Sequence, residues 1–400
     1  MSQADLDRLQ YYAQKVKVFS ASAITDDPQV HPSTCIRIAQ LQPPALFPSL
    51  RRLRYDCKLG DGSIPHIFLF LSPLLDSLIL SNISGFENTI VGPFLATLSS
   101  QMLRRITLRS GRMSVDILKK SIYHFKQLRS LMLHDAVFMS DFGLWGVLGT
   151  LPCLENFALT ADDPASHPAH APKNSNSQSG GPKYFEALES LWFKGSYFLF
   201  QHLLGFIDSS YLKSIQIYPT INHVNNEDES EDIFTPSMTI IASKWPQSLK
   251  ILVIGACVRE PSVNCAPRFR YTSKRLILST VLTGLHEMQT FHLKSWIMEN
   301  MDDDVRRLVK SWPKLKSLNL NQTTISLSTL RIIAENCPEL RRLHVRLDTS
   351  AIPPFDTSNS KSLRHNLEVL TVEKVLPSST TRTQTTLEYQ IQVSRHLDLI

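Results

Sequence analysis

The feature that most constrains this chain is a six-residue pattern, apolar-x-x-apolar-x-apolar, that returns twelve times. It reads LRRLRY from Leu50, LDSLIL from Leu75, LRRITL from Leu103, LRSLML from Leu128, LENFAL from Leu154 and LESLWF from Leu188. LKSIQI from Leu212, LKILVI from Leu249, MQTFHL from Met288, LKSLNL from Leu315, LRRLHV from Leu340 and LEVLTV from Leu367 complete the series. Successive starts lie 25, 28, 25, 26, 34, 24, 37, 39, 27, 25 and 27 residues apart, so eight of the eleven intervals fall between 24 and 28. A weaker thirteenth copy, AQKVKV from Ala13, precedes them. A unit this short cannot bury its own apolar face, and only stacking against its neighbours gives it a core.

Within each copy the second half alternates with period two, the pattern of a short strand with one buried face. Between copies the spacing turns helical. Val115, Leu118, Ile122 and Phe125 recur at three- and four-residue steps, as do Leu330, Ile333 and Cys337. Asp302, Asp303 and Asp304 stand just before Val305, Leu308 and Trp312, where carboxylates complement the positive end of a helix dipole. Pro48, Pro152, Pro313 and Pro338 each lie two residues before the first leucine of a copy and stop the helix there. Strand, helix and proline stop in rotation predict an α/β leucine-rich-repeat solenoid. It is expected as an irregular horseshoe with a parallel inner sheet and helices on the convex side. The Asn or Cys that ties down the turn of regular repeats is largely missing, its place taken by residues such as Ile83, Gly111, Ala136 and Thr323. Each coil should therefore close by its own local contacts.

The expected organisation is a short leader over 1–8, a solenoid over 9–376 and a C-terminal cap or tail over 377–400. Three long intervals mark insertions at 160–183, 218–237 and 257–273. The first is rich in Pro, Ser, Asn and Gly, the second carries the acidic run NNEDESED, and the third is basic; all three are expected as loops. The tail carries Leu387, Tyr389, Ile391, Val393 and Leu397, a spacing that suits a capping strand or a helix. A hydrophobic share of 42% supplies ample core, and six cysteines without a C-x-x-C pair argue against a disulfide scaffold or zinc ribbon. A net charge of +6 spread over 400 residues is too weak to argue for nucleic acid or a membrane as partner. The first residues hold no apolar secretion signal, which makes a cytoplasmic or nuclear protein the expectation.

The segments LQYYAQKVKVFS, LFPSLRRLRY, FLSPLLDSLIL, LPCLENFAL and CPELRRLHV resemble the leucine-rich-repeat region of fungal F-box proteins, over roughly Leu9 to Val375. In that family an N-terminal F-box docks on the adaptor of an SCF (Skp–cullin–F-box) ubiquitin ligase, and the repeats capture the protein to be ubiquitinated. The resemblance therefore implies a target-binding solenoid. The stretch ahead of Leu9 is too short for an F-box, so SCF adaptor and cullin are expected as partners only if one lies upstream. The alternative is a standalone scaffold or inhibitor with no ubiquitin link.

If the strands pair in this register, alternate strand residues share one concave face. The middle positions bring Arg54, Trp192, His292 and His344 to it. Two residues further on come Arg109, His134, Lys194, Tyr218, Lys294 and Arg346; two residues before come Arg105 and Arg342. Arginine with tryptophan and tyrosine is the composition of protein-binding hot spots, and the basic excess predicts an acidic or phosphorylated target segment. A solvated sheet face that happens to be basic is the plainer reading of the same residues. Nothing in the sequence points to catalysis, a cofactor or a metal. HEMQTFH, His286 to His292, has Thr290 where a zinc-protease helix needs its second histidine, and SGGPK lacks the spacing of a phosphate loop.

Overall fold

Each of the twelve copies becomes a strand at its alternating half, because two apolar residues one apart present a single face to be buried. The computed structural model describes residues 3–21, 46–57, 64–83, 88–98, 102–109, 115–134, 142–161, 183–219, 234–255, 281–294, 302–347, 367–374 and 389–391. The strands are β1 Val18–Ala21, β2 Arg52–Asp56, β3 Ser77–Ser81, β4 Arg105–Arg109, β5 Ser130–His134, β6 Asn156–Thr160 and β7 Ser190–Gly195. They continue as β8 Ser214–Pro219, β9 Ile251–Gly255, β10 Thr290–Lys294, β11 Ser317–Ile325, β12 Arg342–Leu347, β13 Val369–Lys374 and β14 Tyr389–Ile391. The order of strands in the sheet is the order in the chain, and the sheet does not close on itself. The fold is a leucine-rich-repeat solenoid.

By its internal contacts the chain forms two compact units, Met1–Ser190 with Phe206–Ser209, and Leu191–Gly205 with Ser210–Ile400. In the first, β1 to β6 pair in parallel, with Arg52, Ser77, Arg105, Ser130 and Asn156 in one rung. In the second, β8 to β13 pair in parallel, and Gln216, Val253, His292, Asn319, His344 and Thr371 share a rung. β14 runs antiparallel to β13, so the tail contributes a strand at its Tyr389–Ile391 segment.

Leucines at the start of the copies are the spine of the core. Eleven of the twelve starting positions are buried, from Leu50 to Leu340, and Leu367 in the last copy is half-buried. Helices cover the buried side of the strands: α1 Gln3–Ala13, α2 Asn88–Leu98, α3 Val115–Ile122, α4 Phe142–Gly149, α5 Tyr197–Phe206, α6 Phe234–Lys244, α7 Asp302–Ser311 and α8 Leu327–Asn336. Large side chains join the two layers. Trp145 of α4 meets Phe157 of β6, Phe200 of α5 meets Phe193 of β7, and Trp312 after α7 meets Phe291 of β10 at 5.0 Å between ring centroids. The three aspartates do open α7, and α8 is capped by Ser326, whose Oγ accepts the Thr329 N–H at 3.3 Å. Cys337 closes α8, buried, with its thiol pushed up to about 12 by that burial, an inert core residue.

Two backbone devices repeat from coil to coil. The prolines occupy the second place of a tight turn, in which the first leucine of the copy donates its N–H three residues back: Leu50 to Phe47, Leu315 to Trp312 and Leu340 to Cys337, each at 3.1 Å. The residue after that leucine then uses its carbonyl twice, accepting two consecutive N–H groups of the next copy. Arg51 accepts from Asp76 and Ser77 at 2.9 and 3.1 Å, and Arg341 from Glu368 and Val369 at 2.8 and 2.9 Å. This position is charged or Gln in every copy.

Some sequence expectations need correcting. The thirteenth copy exists, but three residues later than AQKVKV places it: Ala13 ends α1, and the register Val18↔Arg52 makes Val16 the start. Val18 consequently faces out, while Phe19 turns in to stack on Phe70 and Phe47. The insertion assigned to 218–237 is shorter than that, since β8 runs to Pro219 and α6 begins at Phe234. Residues 162–182, 220–233 (with the acidic run), the basic stretch 257–273 and the SSTTRTQTT segment lie outside the described residues. Coil closure is irregular as expected. Asn82, in the left-handed region at φ 56, donates through Nδ2 to both Asp56 carboxylate oxygens at 2.8 and 2.9 Å.

Candidate protein-binding face

The strand residues that do not enter the core form an open face on each unit. In the first unit this face carries Arg52 and Arg54 on β2, Arg105 and Arg109 on β4, and His134 on β5. All four arginines are exposed. They fall in two pairs, Arg52 with Arg54 on β2 and Arg105 with Arg109 on β4. β3, between the two arginine strands, presents Ser77, Ile79 and Ser81, and Arg105 reaches Asp76 at 3.7 Å. His134 is half-buried, with its Nδ1 at 3.3 Å from Thr160 Oγ1.

The second unit concentrates its residues. On β10, β11 and β12, His292 lies in the rung of Asn319 and His344, and Ser317 in the rung of Thr290 and Arg342. Lys294 and Arg346 occupy the next outward places on β10 and β12. The centre strand thus offers neutral hydrogen-bonding side chains, and both flanks offer bases. His292 Nε2 sits 2.9 Å from Ser317 Oγ. Burial pushes the His292 imidazole down to about 4, with Lys294, Arg342 and His344 adding their repulsion of a further positive charge. His292 is therefore neutral at pH 7, and the fixed charge of the cluster resides on Lys294, Arg342 and Arg346. The register sets Glu373 of β13 opposite Arg346.

β11 also departs from regular pairing here. Leu320 pairs with Val345 and Thr324 with Arg346, so three residues, Asn321 to Thr323, bulge between consecutive partners. Asn319 Oδ1 accepts the Asn321 N–H at 3.2 Å, holding the start of the bulge.

Beside this basic cluster stands an aromatic pair. Trp192 of β7 and Tyr218 of β8 are half-buried, with ring centroids 5.7 Å apart. The Tyr218 ring lies across β9 onto Gly255: a Cβ added there would come within 2.5 Å of Tyr218 Cδ1. Burial raises the Tyr218 phenol above its ordinary value. Lys194 of β7 is half-buried on the same face.

Of the twelve residues the sequence assigned to this face, the structure gathers His292, Lys294, Arg342, His344 and Arg346 into one patch, with Trp192, Lys194 and Tyr218 in the same unit. Arg54, Arg105, Arg109 and His134 belong to the other unit, where Arg109 and His134 share a rung and Arg54 and Arg105 lie on separate strands. The twelve leave out Gly255, Ser317 and Asn319, although the same spacing sets all three on this face. The signal for Gly255 was available, because glycine inside a strand often marks the close approach of another group. Among the described residues no group of His, Cys, Asp and Glu could hold a metal ion, and no helix is long and apolar enough to cross a membrane.

No protein-family profile and no curated protein matches this chain. Solved structures that it resembles include an internalin from Listeria monocytogenes, at 12% identity over 85% of this chain and 83% of that one, with TM-score 0.38. The yeast Rad7–Elc1 complex is similar at 13% identity over 86% and 82%, with TM-score 0.37. A Bacteroides fragilis protein follows at 11% identity over 73% and 68%, with TM-score 0.34. Likenesses this distant do not extend to function.

Proposed function

We propose that this chain is a non-enzymatic protein-interaction solenoid whose open sheet face captures an acidic or phosphorylated segment of another protein. The observation that carries the reading is the composition of the open face on β7 to β12. It holds Lys294, Arg342 and Arg346, three half-buried histidine and aromatic neighbours in His292, His344 and Tyr218, and no acidic residue on those six strands. A face rich in basic side chains favours an anionic ligand and speeds its arrival. In this reading residues 9–376 are the recognition solenoid and 377–400 its cap.

The finer form of the proposal follows the sequence resemblance: the solenoid is the target-recognition part of an SCF-type ubiquitin ligase receptor, with adaptor and cullin reached through an F-box upstream. Two experiments separate the levels. Charge reversal at Lys294, Arg342 and Arg346 should lower the affinity for acidic and phosphorylated peptides by at least tenfold, measured by fluorescence anisotropy; unchanged affinity removes the binding reading. Purification of this chain and of a form extended upstream should recover adaptor and cullin with the extended form alone. Recovery with neither form leaves a standalone scaffold.

A further inference from the structure

We infer that the second unit reads a two-part ligand: a phosphorylated peptide segment that also carries a planar or branched apolar side chain about four residues from its phosphate. The inference rests on the protein-binding reading above and adds to it the chemistry of the anchor groups and the distance between them.

The phosphate end is the β10–β12 cluster. Ser317 and Asn319 lie between two basic flanks, with Lys294 and His292 on one side and Arg342 and His344 on the other. Arg346 is left out of this set, since its register partner is Glu373. A carboxylate has two oxygens and one charge to offer so many donors. A phosphate monoester has three terminal oxygens and a charge near −2, which matches two fixed cations with hydroxyl and amide donors between them. Guanidinium and ammonium groups on opposite strands also hold the group from two sides, which a lone lysine cannot do.

The apolar end is the Trp192–Tyr218 pair. Its rings are tilted at 40° to each other, and the Tyr218 ring is laid over Gly255. That arrangement turns three neighbouring strands into a low platform of ring faces, on which a planar or branched apolar side chain can rest. Gly255 is what permits it, because any side chain there would lift the tyrosine ring away. Val253 in the adjacent rung is buried, which sets an apolar side chain on β9 between platform and cluster.

Spacing follows from the sheet. The platform is centred on β8 and the cluster on β11, three strand steps apart, or about 14 Å at ~4.8 Å per step. An extended peptide crossing the strands covers that in about four residues at ~3.4 Å each.

The test uses the full chain and synthetic peptides bearing one phosphoserine with a tyrosine or leucine two, four or eight residues away, plus a peptide without the apolar residue. The four-residue spacing is expected to bind at least tenfold tighter than the others, and Tyr218→Ala or Gly255→Ala to level the series without abolishing phosphate-dependent binding. Lys294→Glu with Arg342→Glu should weaken binding of every phosphopeptide at least tenfold, with thermal melting confirming that the variants are folded. Equal affinity at all spacings overturns the two-part inference while the phosphate-binding reading survives. Failure of every acidic and phosphorylated peptide overturns both. Binding of vesicles containing 5% phosphatidylinositol phosphate, with no peptide bound, overturns the peptide as ligand.

Discussion

The open faces of β2–β5 and β10–β12 carry similar residue types and behave differently. On β2 and β4 the arginines are exposed, the two pairs are separated by a serine-rich strand, and Arg105 is drawn to an aspartate. Charges so placed interact through water and ions, and each contributes little. On β10 to β12 Lys294, His292, His344 and Arg346 are half-buried and Arg342 is exposed, and burial first, then the repulsion of Lys294, Arg342 and His344, keeps His292 neutral. The difference lies in desolvation. Similar basic residues interact more strongly where the surrounding side chains remove the water between them.

The largest expected effect breaks the second face from beneath. Trp312→Ala removes the indole packed on Phe291 and the hydrogen bond from its Nε1 to the Leu282 carbonyl, and should cost about 3–5 kcal/mol. Hydrogen exchange should show β10–β12 losing protection while β2–β5 keep theirs, because repeat stability is a nearest-neighbour property. A global loss in both faces would mean that they unfold as one.

Charge reversal comes next. Lys294→Glu with Arg342→Glu should weaken phosphopeptide binding at least tenfold, and Arg54→Glu with Arg109→Glu less than twofold, by anisotropy at about 0.15 M salt. Equal losses would erase the contrast.

His292 gives a smaller, pH-dependent effect. Its folded value near 4 lies below the 6.5 of an unperturbed imidazole, so the unfolded chain binds the proton more tightly. The favourable contribution is complete above about pH 6.5 and is lost as the pH falls towards 4. His292→Gln, which keeps a partner for Ser317, should therefore show a shallower fall in Tm over that window than the parent chain. An identical fall in both would place the titrating group elsewhere.

Smallest is Glu155→Gln, which removes the exposed pair with Arg129 at 2.9 Å on the first unit's rim and should change stability by about 0.2–1 kcal/mol, less at high salt.

Much of this was legible in the sequence because it depends on period alone. The hexads give the strands, their register and the face on which each side chain falls, since a parallel coil that repeats must align equivalent positions. Thus Arg342, His344 and Arg346 could be set on one face from their spacing. The frame failed at Ala13, where an amphipathic helix end mimics the pattern and only the partner strand chooses between two apolar phases three residues apart.

What period could not give is the environment of each position. Arg54 and His292 occupy equivalent places in their repeats, yet one is solvated and the other held near pKa 4, because the neighbours in adjacent coils differ. The sequence by itself determined a stack of coils and the identity of its open face. The tertiary structure decided which part of that face is shielded from water, through contacts such as Tyr218 on Gly255 and Ser317 on His292. Those contacts link residues from about 25 to about 37 apart in the chain, and desolvation depends on such neighbours in space, on which a local pattern carries no information.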